Sequence, residues 1–260
     1  MKCLGPKQPA APGPRFPLAI PPGDEYPVRG RRPPEDWERP EARGEGTAGR
    51  EGRFGVTARI KIDLEHLVRC GEPIILDLGC GARKGAGRIG IDKLDLPSVD
   101  IVADVEEGLP FLADNSVDEV HAKSFLEHVR NFELLMTEIV RVLKPGGRAH
   151  VFVPHFSNPY YYSDYTHIRF FGLYTFQYFV NQEHQLRRGV PNFYTTVRIR
   201  VLSQELVFMS PFKRRHRVKT LIGRLVNLHR ATQEFYEENL CYIFPCYGLK
   251  IIFTPDKARA

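Results

Sequence analysis

From about residue 54 onward, short apolar runs alternate with turn-rich or amphipathic stretches. Each of the first runs ends in a polar residue or glycine, as buried parallel strands do. Between the later runs, Leu135, Ile139 and Val142 recur at helical spacing and predict a helix over 131–147. The predicted strands of this part are 73–79, 88–92, 100–105, 117–124 and 148–154.

After residue 154 the pattern changes. It predicts a helix at 174–184, a long strand at 196–208, an amphipathic helix at 218–239 and a final strand at 247–255. Strands that alternate with helices or turns are typical of α/β proteins. The fold class is therefore predicted as α/β, with a mostly parallel sheet, helices on both faces and a last strand added at the end of the chain.

Residues 1–53 differ in composition from the rest, being rich in Pro, Gly, Arg and Glu and poor in aliphatic residues. Such a segment cannot bury enough apolar surface to offset the entropy of ordering, so it is predicted to be a disordered tail. The folded domain is predicted over 54–260, with a cofactor half at about 70–154 and substrate-facing additions at about 155–246.

Composition narrows the class of protein further. The formal net charge of +6 and the pI near 9.1 favour an anionic partner without establishing nucleic-acid binding, which stays possible but is not favoured. Five cysteines, an odd number without a CxxC pair, indicate reduced thiols and a cytoplasmic protein. No apolar run is long enough for a membrane span, and we expect no signal peptide. The oligomeric state is not predicted.

The stretch ILDLGCGARKGAG, residues 75–87, is the most informative chemically. Gly79 and Gly81 follow a strand and let the backbone turn sharply and approach a ligand. The carboxylate of Asp77 stands just before them, where it would repel a diphosphate and attract a cationic or zwitterionic cofactor. The loop therefore predicts a cofactor site of that kind.

Five segments in order resemble the class I S-adenosylmethionine-dependent methyltransferases, in a type 11-like subgroup. They are LDLGCG at 76–81, GID at 90–92, 103–120, SFLEHV at 124–129 and VLKPGG at 142–147. The resemblance implies a Rossmann-like sheet with a final antiparallel strand, and S-adenosyl-L-methionine as cofactor. It also implies that the cofactor contacts Asp77, Leu78, Gly79, Cys80, Gly81, Asp92, Lys93, Asp104, Val105 and Ser124. Asp92 would bind the ribose hydroxyls, and Asp104 and Val105 would face the adenine.

The sequence departs from that family between Gly81 and the second strand. Only ARKGAGR stands there, where the family has a full helix. We expect a subgroup in which this first helix is reduced to a turn. The helix-dipole contribution to binding the methionine end should then be weaker.

Candidate catalytic residues follow the fourth and fifth strands, where ligands lie in open α/β sheets. His128 is interpreted as a base, a cap or a cofactor contact. His155 is interpreted as a base or substrate contact, with a histidine bonded within its loop as the alternative. Residues 157–171, the aromatic segment, are predicted to form a lid or substrate wall, with Asp164 and His167 as further catalytic candidates. Its predicted substrate contacts are Tyr160, Tyr161, Tyr165 and Arg169.

Two other interpretations of these residues are not favoured. His155, Asp164 and His167 have the composition of a two-histidine, one-carboxylate metal site, but nothing else in the sequence asks for a redox metal, and no metal is predicted. The NPYY at 158–161 is similar to a base-methylating motif, but it follows the fifth strand rather than the fourth and lacks a second proline.

The predicted activity is methyl transfer to a small-molecule, sugar or lipid-linked acceptor. A basic run at 213–219, interpreted as a loop before the amphipathic helix, makes peripheral membrane contact through 213–230 conceivable. Two alternatives remain open from the sequence. One is an RNA or protein methyltransferase, and the other is a non-catalytic, cofactor-binding regulatory protein.

Overall fold

The computed structural model of the protein describes residues 58–257, so the predicted tail at 1–53 lies outside the described residues. The strands are β1 (Arg59–Ile60), β2 (Ile75–Leu78), β3 (Ile89–Asp92), β4 (Ile101–Val102), β5 (Val117–Lys123), β6 (Leu143–Pro154), β7 (Ile199–Val207) and β8 (Gly248–Pro255). The helices are α1 (Leu64–Cys70), α2 (Phe132–Val142), α3 (Lys213–Val226) and α4 (Arg230–Asn239).

These strands form one eight-stranded sheet in the order β1-β4-β3-β2-β5-β6-β8-β7. Strands β2 to β6 are parallel, and β8 runs antiparallel to both of its neighbours, β6 and β7. This confirms the mostly parallel sheet with a final antiparallel strand. The chain moves from β2 to β3 on one side and later to β5 on the other. The carboxyl end of β2 is thus a topological switch point, where open α/β sheets bind ligands.

Helix α2 is the crossover that connects β5 to β6. Its spacing puts Phe132, Leu135, Met136, Ile139 and Val142 on one buried face. Leu135, Met136, Ile139 and Val142 are completely enclosed, so each contributes roughly 1.5–3 kcal/mol of apolar burial. The predicted helix over 131–147 is thereby confirmed, but it ends earlier. Leu143 already begins β6, which also includes Pro145.

Between β2 and β3 the described chain forms only turns, as the short ARKGAGR stretch predicted. The absence of a helix here changes how the sheet is covered. In β5 and β6, apolar residues such as Val120 and Val151 are buried, while His121 and His150 on the opposite side are only partly covered. Parallel strands that alternate in this way have one face without a complete helical layer.

Three predicted elements are wrong in type or length. The helix predicted at 174–184 is two 3-10 turns, Thr175–Phe179 and Gln182–His184. The strand predicted at 100–105 stops at Val102, because the Asp104 side chain accepts a hydrogen bond from the Glu106 N–H and starts a 3-10 turn. The third is the helix predicted at 218–239.

That segment is two helices. Asn227 interrupts it by accepting a hydrogen bond from the Leu206 N–H and donating one to the Leu206 carbonyl, at 2.9 and 2.7 Å. His229 then begins α4 with a capping box shared with Thr232. The basic run at 213–219 is also not a loop, because it forms the first turns of α3.

The four cysteines in the described residues, Cys70, Cys80, Cys241 and Cys246, are free thiols. Within 58–257, none of the helices has both the length and the apolar composition that crossing a bilayer requires.

Candidate functional site

The glycine loop after β2 is held by its own neighbours in the sheet. Gly79 and Gly81 have φ values of +63° and +54°, which explains glycine at both positions. The Gly79 N–H donates to the Ile91 carbonyl at 2.8 Å, so the loop continues the pairing with β3. Buried Asp77 accepts from the Gly85 N–H at 2.8 Å and contacts the Arg88 guanidinium at 3.4 Å. Asp77 therefore braces the turn that replaces the first helix.

Two further predicted carboxylates lie after the next strands. Asp92, at the end of β3, accepts hydrogen bonds from the N–H groups of Gly81 and Leu94, both at 2.9 Å. Asp104 follows β4 and is exposed. Since the ends of parallel strands share one edge of the sheet, the glycine loop, Asp92 and Asp104 belong to one site.

The negative charge around this site affects the pKa of Cys80, which lies between the two glycines. Burial, together with the nearby carboxylates of Asp92, Asp77 and Asp100, raises the pKa of the Cys80 thiol to about 11. Lys84 is occupied by an ion pair with Asp100 at 2.5 Å. A loop in a negative field of this kind favours a cationic ligand, and this agrees with the positive sulfonium and ammonium groups of S-adenosylmethionine.

Residues that follow β5 close over the glycine loop. Ser124 has a φ of +50°, an uncommon conformation for a residue with a side chain. The next residue, Phe125, packs on Gly79 so tightly that a Cβ added to Gly79 would overlap the Phe125 ring. Strained backbone of this kind is frequent at functional sites.

The other predicted cofactor contacts differ in accessibility. The side chains of Leu78 and Val105 belong to the hydrophobic core, so only their backbone faces the loop edge. Lys93 is exposed beside Asp92. The structure brings the predicted set to one edge of the sheet, while the contacts with a cofactor stay a prediction.

Next to this edge, Glu127, His128 and His167 form a carboxyl–histidine cluster. Their ligand atoms lie within 4.8 Å of one another, and the two imidazole centroids are 4.8 Å apart. Thr166 connects the cluster to Asp164, because its hydroxyl lies 3.0 Å from His128 Nδ1 and 2.6 Å from Asp164 Oδ1. Three of the four predicted catalytic residues, His128, His167 and Asp164, therefore belong to one connected group, in which Thr166 bridges His128 and Asp164.

Glu127 belongs to this cluster but was not among the predicted catalytic residues. Its side chain is 1% exposed, and its Oε2 has no hydrogen-bond partner among the described residues. The available signal was an acid in the apolar stretch SFLEHV, directly after a buried strand. Acids that are fully buried are unusual and often functional.

Within the cluster, the pKa of Glu127 is the one that moves toward neutrality. Burial, reinforced by the charge of Asp164, raises the pKa of Glu127 to about 7. Burial lowers the pKa of His128 and so favours the neutral imidazole, whereas the hydrogen bonds from Thr166 lower the pKa of Asp164. A neutral imidazole beside a carboxyl group with a raised pKa is suited to proton transfer.

His155 does not join this cluster. It is completely buried, its Nδ1 lies 2.8 Å from the Ser157 hydroxyl, and its Nε2 lies 3.1 Å from Glu237 in α4. With no exposed surface it has no access to a substrate. The interpretation as a base is therefore corrected in favour of the alternative, a histidine bonded within the structure.

The aromatic segment is divided between buried and exposed side chains. Tyr161 is buried, with its hydroxyl donating to the Arg169 carbonyl. Arg169 donates to the carbonyls of Val129 and Arg130, so its charge ties the segment to the chain after β5. Buried Tyr161 is positioned as an internal support, a correction of its expected direct contact with substrate. Arg169 is partly exposed, and its substrate contact stays a prediction. Tyr160 and Tyr165 are exposed, as a substrate wall requires.

Comparison with known proteins agrees with this geometry. Residues 76–151 match the family described as "Methyltransferase domain". Over 73 residues the chain is 37% identical to a demethylmenaquinone methyltransferase from Renibacterium salmoninarum. That alignment covers 28% of this chain, and the chain spans 30% of the length of the curated relative.

Similar solved structures include a SAM-dependent methyltransferase from Archaeoglobus fulgidus. It has a TM-score of 0.39 and 18% identity, with 73% of this chain and 91% of that chain covered. A phosphoethanolamine N-methyltransferase 2 from Haemonchus contortus, in complex with S-adenosyl-L-methionine, has a TM-score of 0.40 and 18% identity over 72% of this chain and 49% of that chain.

The family match confirms the resemblance predicted from the sequence. It covers residues 76–151, from β2 into β6, the part that carries the glycine loop, Asp92 and Asp104. Of the carboxyl–histidine cluster it covers Glu127 and His128, while His167 lies beyond it. It also supports S-adenosyl-L-methionine as the cofactor of this domain.

Proposed function

We propose that this protein transfers a methyl group from S-adenosylmethionine to a small-molecule, sugar or lipid-linked acceptor. One observation carries the proposal: the ends of β2, β3 and β4 gather the glycine loop, Asp92 and Asp104 at the switch point of the sheet. The negative field around Cys80 adds selectivity for a cationic cofactor. A cytoplasmic setting fits the free thiols of the described residues.

In this proposal the cofactor supplies an electrophilic methyl group, and the chain aligns the acceptor and accepts its proton. Asp92 and the Gly81 backbone hold the ribose side of the site. Phe125 closes the site from the β5 side. His128, the partly exposed base of the cluster, takes the proton of a hydroxyl or ammonium acceptor during in-line attack. Buried Glu127, whose pKa is raised to about 7, lies beside it.

The surface of α3 supports a lipid-linked acceptor or a membrane-bound position. Val218, Leu221 and Leu225 recur on one side of the helix. Leu228 follows just after its end, and all four side chains are more than half exposed. Lys219 of the same helix donates to the Pro245 carbonyl at 2.8 Å. That contact brings α3 beside the 240–247 loop, which exposes Tyr242 and Ile243.

Basic residues precede this apolar surface along the chain. Lys213, Arg214, Arg215 and Arg217 are exposed in the first turns of α3. A helix with an exposed apolar stripe and a cationic end is typical of proteins that lie on anionic membrane surfaces. The charge complementarity favours an anionic lipid surface over a neutral partner.

Calorimetry with S-adenosylmethionine and S-adenosylhomocysteine tests the cofactor site directly. We expect saturable binding of both at one site per chain. Production of S-adenosylhomocysteine with panels of small molecules, lipid extracts, RNA and protein then tests the acceptor class. No binding of either ligand would refute the proposal, while product formation with RNA or protein alone would replace the acceptor class.

A further inference from the structure

A second cluster of titratable side chains lies away from the carboxyl edge, within the middle of the sheet. Glu119 and His121 alternate with buried residues on β5, so both face the same side of the sheet. His150 on β6 pairs in register with His121 and faces that side too. This is the face of β5 and β6 that is only partly covered.

The three side chains converge on one point. Glu119 Oε2 lies 3.0 Å from His121 Nε2 and 3.7 Å from His150 Nε2. All three ligand atoms are within 4.8 Å of one another. The two imidazole rings are stacked, with centroids 4.6 Å apart and planes 7° from parallel, so they must turn toward each other to share one ion.

His150 Nε2 is the atom that internal contacts do not satisfy. It is buried and has no hydrogen-bond partner within 58–257, although the His150 side chain as a whole is partly exposed. A buried polar atom without a partner costs about 1–3 kcal/mol. The single Glu119 oxygen is close to His121 Nε2 and farther from His150 Nε2, so His150 lacks a good hydrogen-bond acceptor.

We propose that Glu119, His121 and His150 form a binding site for one divalent zinc-like cation. Two imidazole nitrogens and one carboxylate oxygen are a ligand set that zinc accepts, with water in the fourth position. Tetrahedral zinc, with ligand bonds of about 2.0–2.1 Å, separates its ligand atoms by roughly 3.3 Å. The observed distances of 3.0 and 3.7 Å lie on either side of that value.

The scaffold suits this assignment, because all three ligands stand on two central, hydrogen-bonded strands and the backbone needs little ordering on binding. Two cations, Arg148 and Arg88, act on His150, and Arg88 is already paired with Asp77. The carboxyl–histidine cluster differs, because Thr166 and the Tyr161 carbonyl occupy Nδ1 of His128 and His167, and that cluster belongs to the proposed transfer site.

The test is zinc binding by the full-length chain after dialysis against a chelator, measured by competition with a chromophoric zinc indicator. Three variants are measured, His121→Ala, His150→Ala and Glu119→Gln, and each is expected to bind zinc at least tenfold more weakly than the wild type. The matched control is a chain with both His128→Ala and His167→Ala, which should retain the wild-type zinc affinity.

Thermal unfolding checks that the variants are folded and provides a second readout. Added zinc should raise the melting temperature of the wild type and of the control, but not that of His150→Ala. Unchanged zinc affinity in both His121→Ala and His150→Ala would overturn the assignment. Loss of zinc binding only in the control chain would assign the metal to the other cluster and overturn it equally.

Discussion

The Asp92 carboxylate accepts a hydrogen bond from the Gly81 N–H, 2.9 Å away, and so joins the end of β3 to the glycine loop. The sequence presented these residues as separate cofactor contacts, eleven positions apart. The structure makes them one unit, in which the second oxygen of Asp92 also accepts from the Leu94 N–H. A loss of this carboxylate therefore affects both a ligand contact and the shape of the loop.

Replacing Asp92 with Ala should weaken S-adenosylmethionine binding by roughly 1–3 kcal/mol, because charge-assisted hydrogen bonds are lost. Calorimetry measures the change. Asp63→Ala is the matched control, since Asp63 also accepts a backbone hydrogen bond, from the His66 N–H, but at the start of α1. An affinity as high in Asp92→Ala as in the control would contradict the ribose assignment.

Gly79 and Gly81 should respond differently to alanine. Both have positive φ, which costs alanine roughly 1–2 kcal/mol. Only at Gly79 would the new Cβ also overlap the Phe125 ring, while Gly81 has open space there. We expect Gly79→Ala to have the lower melting temperature of the two and to lose cofactor binding. Equal melting temperatures would show that Phe125 moves aside freely.

Glu127 should make stability fall as the pH rises. Its folded-state pKa of about 7 lies above the ordinary glutamate value of 4.5, so the folded state holds the proton more tightly. That contribution is complete below about pH 4.5 and is lost as the pH rises through about 7, by up to about 3 kcal/mol. Denaturant unfolding at several pH values measures it.

The comparison that isolates Glu127 is with Glu127→Gln, which has no proton to release. The difference in unfolding free energy between wild type and variant should shift in favour of Glu127→Gln from pH 5 to pH 8. Glu133→Gln, an exposed replacement on α2, should follow the wild type. A difference that does not change with pH would mean that Glu127 is not protonated in the fold.

Elements with a strong repeating pattern were predicted well. The strands β2, β3, β5 and β8 and the helix α2 are set by local apolar spacing, and the shortened loop before β3 was visible as a missing stretch of sequence. The helix break at Asn227 was not predictable, because it depends on hydrogen bonds to Leu206, 21 residues earlier. Local periodicity contains no information on such a tertiary contact.

In the candidate site, too, local motifs were predictive and tertiary contacts were not. Motif spacing placed Asp92, Asp104 and the glycines at one edge of the sheet. The enclosure of His155 by Ser157 and by Glu237, 82 residues away, depends on how α4 packs and was not predictable. The burial of Glu127 was not predictable for a similar reason, since this residue contacts a distant part of the chain, the aromatic segment, whose Ile168 N–H donates to the Glu127 carbonyl.

The apolar stripe of α3 gives the last prediction. Leu221→Ser together with Leu225→Ser should reduce binding to vesicles that contain anionic phospholipid, because both side chains are more than half exposed and their loss removes apolar area that would enter the lipid. Co-sedimentation of the full-length chain measures the bound fraction. Leu202→Ser, a similarly exposed leucine on β7, is the matched control and should bind as the wild type does.

Because Lys213, Arg214, Arg215 and Arg217 precede the stripe, binding should also weaken steeply as salt is raised. A wild-type chain that stays in the supernatant at low salt would contradict the membrane contact, while leaving the cofactor site untouched.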